Sequence, residues 1–355
     1  MKTPAKRSRF ETWAVLALFA LGLALTHLYI ILYTPAARDG YHPRIINVPR
    51  GAIFRLIAED LRSEGIIRDT DRFLFAARLM GAYKKTKAGE YELSPSMAPV
   101  EIIRMFMEGK VKGYKITVPE GYSVREIAYA LGAAGLADPE EFLSMAKDPG
   151  FTEDMGFDGA SLEGYLFPDT YQFKKGMSAE DIILKMIERF NSVYYMEFDR
   201  LAKNKGITMK EAITLASIIE KETGAPEERP IISAVFHNRL KKGIRLQSDP
   251  TVIYALNVFD GKITKKHLLT KNPYNTYVNY GLPPGPIANP GRDAIKAALE
   301  PANEDYIYFV SKNDGTHQFS RSLQEHNEAV NMYQRQIKET HPPPVEIMAQ
   351  PVPNT

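Results

Sequence analysis

The chain has no cysteine, a single tryptophan and almost no net charge. Without cysteine there is no thiol nucleophile, no cysteine-ligated zinc and no disulfide framework. If the chain is exported, its core alone must hold it together. Lys and Arg number 45 against 43 Asp and Glu, and a net charge of +2 removes the electrostatic footprint of a general nucleic-acid binder. The seven histidines are scattered and none falls in an H-E-x-x-H pattern, so no zinc-hydrolase site is expected. Ser217 has no G-x-S-x-G elbow around it. Neither a P-loop nor a G-x-G-x-x-G turn occurs, which leaves nucleotide chemistry without a foothold. No metal and no cofactor are expected.

What is present begins with an uncharged apolar run over residues 13–33, about the length of a membrane-spanning helix. Lys2, Lys6, Arg7 and Arg9 precede it, so a cytoplasmic tail over 1–12 and an extracytoplasmic bulk are expected. Trp13, Tyr29 and Tyr33 sit near its ends, where interfacial aromatics belong. The alternative is a cleaved signal peptide, but the run exceeds the usual signal core and no A-x-A site follows.

An internal repeat comes next. Val48-Pro49-Arg50-Gly51, Ile57-Ala58, Leu61 and Gly65-Ile66 return as Val118-Pro119-Glu120-Gly121, Ile127-Ala128, Leu131 and Gly135-Leu136, at a constant shift. Each copy predicts a strand ending at V-P-x-G and then an amphipathic helix stopped by glycine. With helices over 73–80 and 100–107 and a strand over 89–93, residues 45–113 read as a small α+β module. Residues 114–338 read as a mixed α+β domain with helices over 182–195, 209–221 and 230–240. Tyr306-Ile307-Tyr308-Phe309-Val310 is the strongest strand signal. The Pro-rich segment 339–355 reads as disordered.

The stretch Leu215-Ala216-Ser217-Ile218-Ile219-Glu220-Lys221-Glu222-Thr223 carries the chemistry. At ~100° per residue, Leu215, Ile218, Ile219 and Glu222 share a helix face, and Glu220 lies ~200° from Glu222. A carboxyl group among Leu and Ile loses hydration, which favours its neutral form and raises its pKa. Such a group can serve as a general acid near neutral pH. A structural ion pair with a buried Arg is the competing reading. Four clusters flank the helix: residues 162–171, Asn238-Arg239-Leu240 through 246–254, 273–277 and 281–287. They are rich in Gly, Pro, Tyr, Asn and Asp, which suits a groove that stacks sugar rings and bonds their hydroxyls. Asp249, just before Pro250, reads equally as a helix N-cap. His317, Phe319, Ser320, His326 and Asn327 either line a cleft edge or close the fold.

Leu162-Glu163-Gly164-Tyr165-Leu166-Phe167-Pro168-Asp169-Thr170, the segment 216–223, Leu246-Gln247-Ser248-Asp249-Pro250-Thr251-Val252-Ile253-Tyr254, Tyr274-Asn275-Thr276-Tyr277 and Gly281-Leu282-Pro283-Pro284-Gly285-Pro286-Ile287 resemble, in order, the YceG-like endolytic murein transglycosylases of bacteria. The resemblance covers about residues 45–338. It implies a single-pass anchor in the bacterial inner membrane, a LysM-like module over 45–113 and a catalytic domain over 114–338 facing the extracytoplasmic side. It implies cleavage of MurNAc–GlcNAc bonds within peptidoglycan strands to leave 1,6-anhydro ends, and penicillin-binding proteins as partners. The catalytic acid of the family pattern falls on Glu222. Gln247, Asp249, Tyr254, Asn275, Tyr277, Glu163 and Glu220 are the candidates for holding sugar or stabilising charge. A water-using muramidase and a non-catalytic glycan-binding scaffold are the alternatives.

Overall fold

A computed structural model describes residues 5–38, 40–256 and 261–335. The expected Pro-rich tail lies outside the described residues. Two compact units divide the chain. One runs to Lys115 and takes in Gln172–Gly176; the other holds Ile116–Tyr171 and everything from Met177 on. The recruitment of Gln172–Gly176 by the first unit has no signature in the sequence.

The first unit starts with helix α1, Ala5–Tyr33. Within it Phe10–Tyr33 has a mean hydropathy of 2.4, long and apolar enough to cross a membrane. Its apolar side chains, Phe10, Trp13, Leu18 and Phe19 among them, are exposed. Strand β1 (Arg44–Val48), helices α2 (Phe54–Ser63) and α3 (Thr70–Leu79), strand β2 (Gly89–Leu93) and helix α4 (Pro99–Glu108) follow. β1 and β2 pair antiparallel, with Ile46 opposite Tyr91. Their inward residues Ile46, Val48, Tyr91 and Leu93 meet Ile57, Leu61, Phe73 and Phe106 from the helices in one core.

Strand β3 (Tyr114–Thr117) pairs with a later strand, β4 (Thr170–Phe173). Between them lie α5 (Val124–Ala133), α6 (Pro139–Ala146) and α7 (Pro149–Asp154). Each begins with a side-chain cap, from Ser123, Asp138 and Asp148. The second unit continues through α8 (Ala179–Glu197), α9 (Asp199–Lys205), α10 (Met209–Glu222), α11 (Arg229–Lys241), α12 (Asp249–Leu256), α13 (Lys265–Leu268) and α14 (Arg292–Leu299). It closes with the hairpin of β5 (Tyr308–Ser311) and β6 (His317–Ser320) and helix α15 (Leu323–Val330). The expected strand at 306–310 thus starts two residues late. The Tyr306 and Ile307 carbonyls are taken by the side chains of Asn238 and Arg239 instead of a partner strand.

Helix α10 is the hub. Thr208 caps it in a box with Glu211, and residues from Ala212 to Ile219 are buried without interruption. A helix buried all round is a central one, wider in its contacts than the one-faced amphipathic helix the sequence suggests. It packs against α14, α11 and α12.

The segment 162–171 is ordered but is core rather than a surface open to sugar. Leu162, Tyr165, Leu166 and Phe167 are buried, and Tyr165 stacks on Phe157 with ring centroids 4.2 Å apart. Gly164 explains the tightness of this loop. It sits at φ +90°, and a Cβ there would lie 2.5 Å from Pro286 and 2.9 Å from Ile213. Its glycine therefore lets segments 162–171 and 281–287 close directly over α10.

Candidate active site

Glu220 and Glu222 leave α10 in different directions and meet different chemistry. The Glu220 carboxylate accepts from Arg229 Nη2 at 2.9 Å and from the backbone N–H of Gly291 at 2.9 Å. Arg229 is buried at the start of α11 and Gly291 caps α14, so Glu220 locks three helices together. The ion pair that the sequence leaves open for Glu222 belongs to Glu220.

Glu222 is the last residue of α10, where the backbone turns extended at Thr223. The helix C-terminus presents partial negative charge, which disfavours a carboxylate there. Glu222 is half-buried as a residue, yet its carboxyl end is crowded by protein. Loss of hydration pushes its pKa up to about 7; the Ser248 hydrogen bond pulls the other way, the Asp249 charge adds to the rise and Arg239 opposes it. Ser248 Oγ donates to Glu222 Oε1 at 2.5 Å. Nothing in the sequence sets Ser248 apart, although it lies inside the Gln247-Ser248-Asp249-Pro250 run.

The loop from Arg245 to Ser248 is built to deliver that hydroxyl. Gln247 has φ +51°, a left-handed conformation rare for a residue with a side chain. Thr276 fixes it on both sides: its carbonyl accepts from Gln247 N and its hydroxyl from Ser248 N. Buried Arg239 holds the loop from behind, donating to the carbonyls of Leu246 (2.8 Å) and Ile307 (2.7 Å) and reaching Gln247 Oε1 at 3.4 Å. Arg239 opens one of the clusters marked in the sequence but has no role assigned there, because its partners are carbonyls far along the chain.

Helix α12 begins at Asp249 itself, so Asp249 lies in the first turn rather than before it. Its Oδ1 accepts from Tyr277 Oη at 2.6 Å, and burial raises the Tyr277 pKa. Asn275 is fully buried. Its amide donates to the carbonyls of Leu268 and Thr270 and its oxygen accepts from Tyr277 N, so it shapes the loop that presents Tyr277.

Glu163 is buried some distance along the chain from these residues, in the wall of a cavity of about 310 Å³. Burial pushes its pKa up to about 8. Val124 N donates to its Oε1 at 2.9 Å and Asn289 Nδ2 at 3.2 Å, while Tyr254 Oη reaches Oε2 at 3.5 Å. Asn289 is another residue missed. Its side-chain oxygen accepts from Gly164 N and Leu166 N, and its amide donates to Tyr122 O. Only an Asn followed by Pro in a Gly-rich loop marks it in the sequence. Lys221, Tyr254 and Ile287 line the same cavity, whereas Glu222 itself does not.

His317 lies on β6 with its ring bound to buried Glu228 at 2.7 Å, and His326 stacks on Tyr308. Both close the fold. Among the described residues no group of three His, Cys, Asp or Glu could hold a metal ion.

The sequence model of the YceG-like family matches residues 46–332. A Bacillus subtilis protein described as an endolytic murein transglycosylase is 36% identical over 319 residues, spanning 85% of this chain and 88% of its own length. A Streptococcus pneumoniae protein of the same description is 30% identical over 324 residues; the match covers 80% of this chain but only 57% of that longer protein. The crystal structure of a YceG-like protein from Listeria monocytogenes is 35% identical, with a TM-score of 0.57 over 82% of this chain and all of that one.

Proposed function

Because this chain belongs to the YceG-like family and ends its central helix on a desolvated acid, we propose that it is an endolytic murein transglycosylase with Glu222 as its catalytic acid. The observation that carries this reading is the Glu222 carboxyl: raised to about 7, bonded by Ser248 and set apart from the structural ion pair of Glu220. A carboxyl with that pKa is protonated often enough near neutral pH to give a proton and basic enough afterwards to take one.

The reaction needs only that one group. Glu222 protonates the oxygen linking MurNAc to GlcNAc, and positive charge develops at C1 of the muramoyl ring. The resulting carboxylate accepts the proton of the same sugar's C6 hydroxyl. That oxygen bonds to C1 as the link to the leaving sugar breaks, leaving a 1,6-anhydro end and a regenerated acid. An intramolecular nucleophile gains from proximity, so a second catalytic carboxylate is not required. Asp249 and Tyr277, joined by their hydrogen bond, stabilise the developing charge. Gln247 and Tyr254 hold sugar hydroxyls, and Asn275 keeps the Tyr277 loop in place. Glu163 shapes the adjacent cavity, and Glu220 keeps the helix frame.

A hydrolytic reading, with Asp249 activating water, draws on the Asp249 charge acting on Glu222. End-group analysis separates the two. Full-length protein in detergent, acting on purified glycan strands, gives anhydro ends by mass spectrometry, and Glu222→Gln gives none. Reducing ends would assign hydrolysis; unimpaired function in Glu222→Gln would assign a non-catalytic scaffold.

The rest of the chain supports an anchored enzyme. We place α1 across the bacterial inner membrane with the N-terminus in the cytoplasm, on the basic flank before it. The strand–helix–helix–strand order of β1, α2, α3 and β2 supports a LysM-like glycan-binding role for residues 45–113. Partnership with penicillin-binding proteins would couple cleavage to strand synthesis.

A further inference from the structure

The cavity beside the active site is charged in a way that glycan alone does not explain. Its wall carries Arg125, Lys147 and Lys221. Among the described residues none of the three has an ion-pair partner, while Arg44, Arg189, Lys203, Arg292 and Arg321 each do. Lys221 spends one proton on the carbonyl of Gly121 at 3.2 Å, not on a carboxylate. Three cations on one hollow give it a positive potential that favours an anion.

The cavity's own acids do not complete it. Glu126 is held as a helix cap, its carboxylate accepting from Ser123 N and Oγ at 2.7 Å each. Glu163 is buried, and loss of hydration favours its neutral form, outweighing the Val124 hydrogen bond and the Lys147 charge that favour the ionised one. Three cations therefore face a single ionised carboxylate. Ile253 and Ile287 add an apolar wall, and the volume of about 310 Å³ is at the lower end of small-ligand sites. Lys221 joins this wall directly to Glu222, the next residue along α10.

We propose that this cavity is a carboxylate subsite for the peptide stem of the murein strand, with Arg125 and Lys147 selecting stem-bearing over stem-free glycan. The proposal rests on the glycan-cleaving reading above. Sugar hydroxyls and acetamido groups are neutral, so the anionic groups of such a strand are the carboxylates of its stems. A stem seated here places its own muramoyl unit next to residue 222, so cleavage follows the pattern of stems along the strand.

Binding tests this without turnover. Full-length Glu222→Gln protein in detergent is titrated calorimetrically with three soluble probes: a muramyl tripeptide, the same compound with its stem carboxylates amidated, and N-acetylmuramic acid, which keeps only a lactyl carboxylate. The muramyl tripeptide binds at least about 10-fold more tightly than either other probe, as expected for charge-assisted bonds. Arg125→Gln with Lys147→Gln removes that preference, and Arg125→Lys with Lys147→Arg restores most of it. Lys147 is exposed, so its variants keep the fold. Equal binding of all three probes, equally tight binding of N-acetylmuramic acid, or an unchanged preference in the double variant would overturn the proposal. Because no step requires cleavage, a failed Glu222 mechanism and a failed stem subsite give different results.

Discussion

Residues 48–66 and 118–136 share nearly the same local structure. Each leaves a strand through V-P-x-G, turns at a glycine with φ of +72° or +77°, forms a ten-residue helix and stops at a second glycine with φ of +71° or +64°. Both helices end with the same closure, Ile66 N to Leu61 O and Leu136 N to Leu131 O. Their surroundings differ. A Cβ added at Gly51 would meet open space, whereas one at Gly121 would lie 3.4 Å from Glu220 Cγ and 3.5 Å from Lys221 Cδ, and Gly121 donates its N–H to Asn289 O. The first helix starts at Ile53 without a side-chain cap; the second starts at Ser123, in the wall of the cavity. One local design thus builds a core in one place and the frame of the proposed site in the other. What packs against it, rather than its own pattern, decides which.

The largest effect that could break this contrast comes from the acid itself. Glu222→Gln lowers kcat by about 10³-fold, within the range for removal of a general acid, while leaving the unfolding transitions in place. Activity retained in this variant would dissolve the distinction between the two copies. The glycines come next. Gly51→Ala and Gly121→Ala each destabilise by about 1 kcal/mol, since both force a side chain into left-handed backbone. Gly121→Ala alone also reduces kcat/KM, because its turn abuts the end of α10. An equal loss of activity from Gly51→Ala would contradict the assignment of the site to the second copy.

The smallest effects are the sharpest, because their signs oppose. With Glu222 as the proposed acid, kcat/KM is expected to fall as pH rises through its pKa of about 7. The Ser248 hydroxyl favours the charged carboxylate, so Ser248→Ala raises the pKa and moves the alkaline limb to higher pH. The Asp249 charge disfavours it, so Asp249→Asn moves the limb to lower pH. Each shift is below about one pH unit. Shifts of the same sign would show that these neighbours act on something other than Glu222.

The sequence makes the periodic part of this molecule legible. Helical spacing finds α10, and the ~200° separation along it predicts that Glu220 and Glu222 cannot share a task. Glu220 bound to Arg229 and Glu222 bound to Ser248 realise that separation. The repeat is visible because glycine is needed at two fixed points of each copy. What stays hidden has no period. Arg239 bonds carbonyls at 246 and 307, Asn289 joins loops at 122 and 164, and Gln172–Gly176 joins a unit that otherwise ends at Lys115. Those pairings depend on long-range closure that no local pattern encodes. Burial of the 162–171 aromatics is hidden for the same reason, since a Tyr in a Gly/Pro loop reads alike whether it faces sugar or core.

The protonation of Glu222 can be read directly by infrared difference spectroscopy of the full-length protein against Glu222→Gln. At about pH 6 the difference spectrum contains the carbonyl stretch of a protonated carboxyl, and this band titrates away with a midpoint near 7. A band already absent at about pH 6, as for an ordinary solvated Glu with a pKa of about 4.3, would contradict the account.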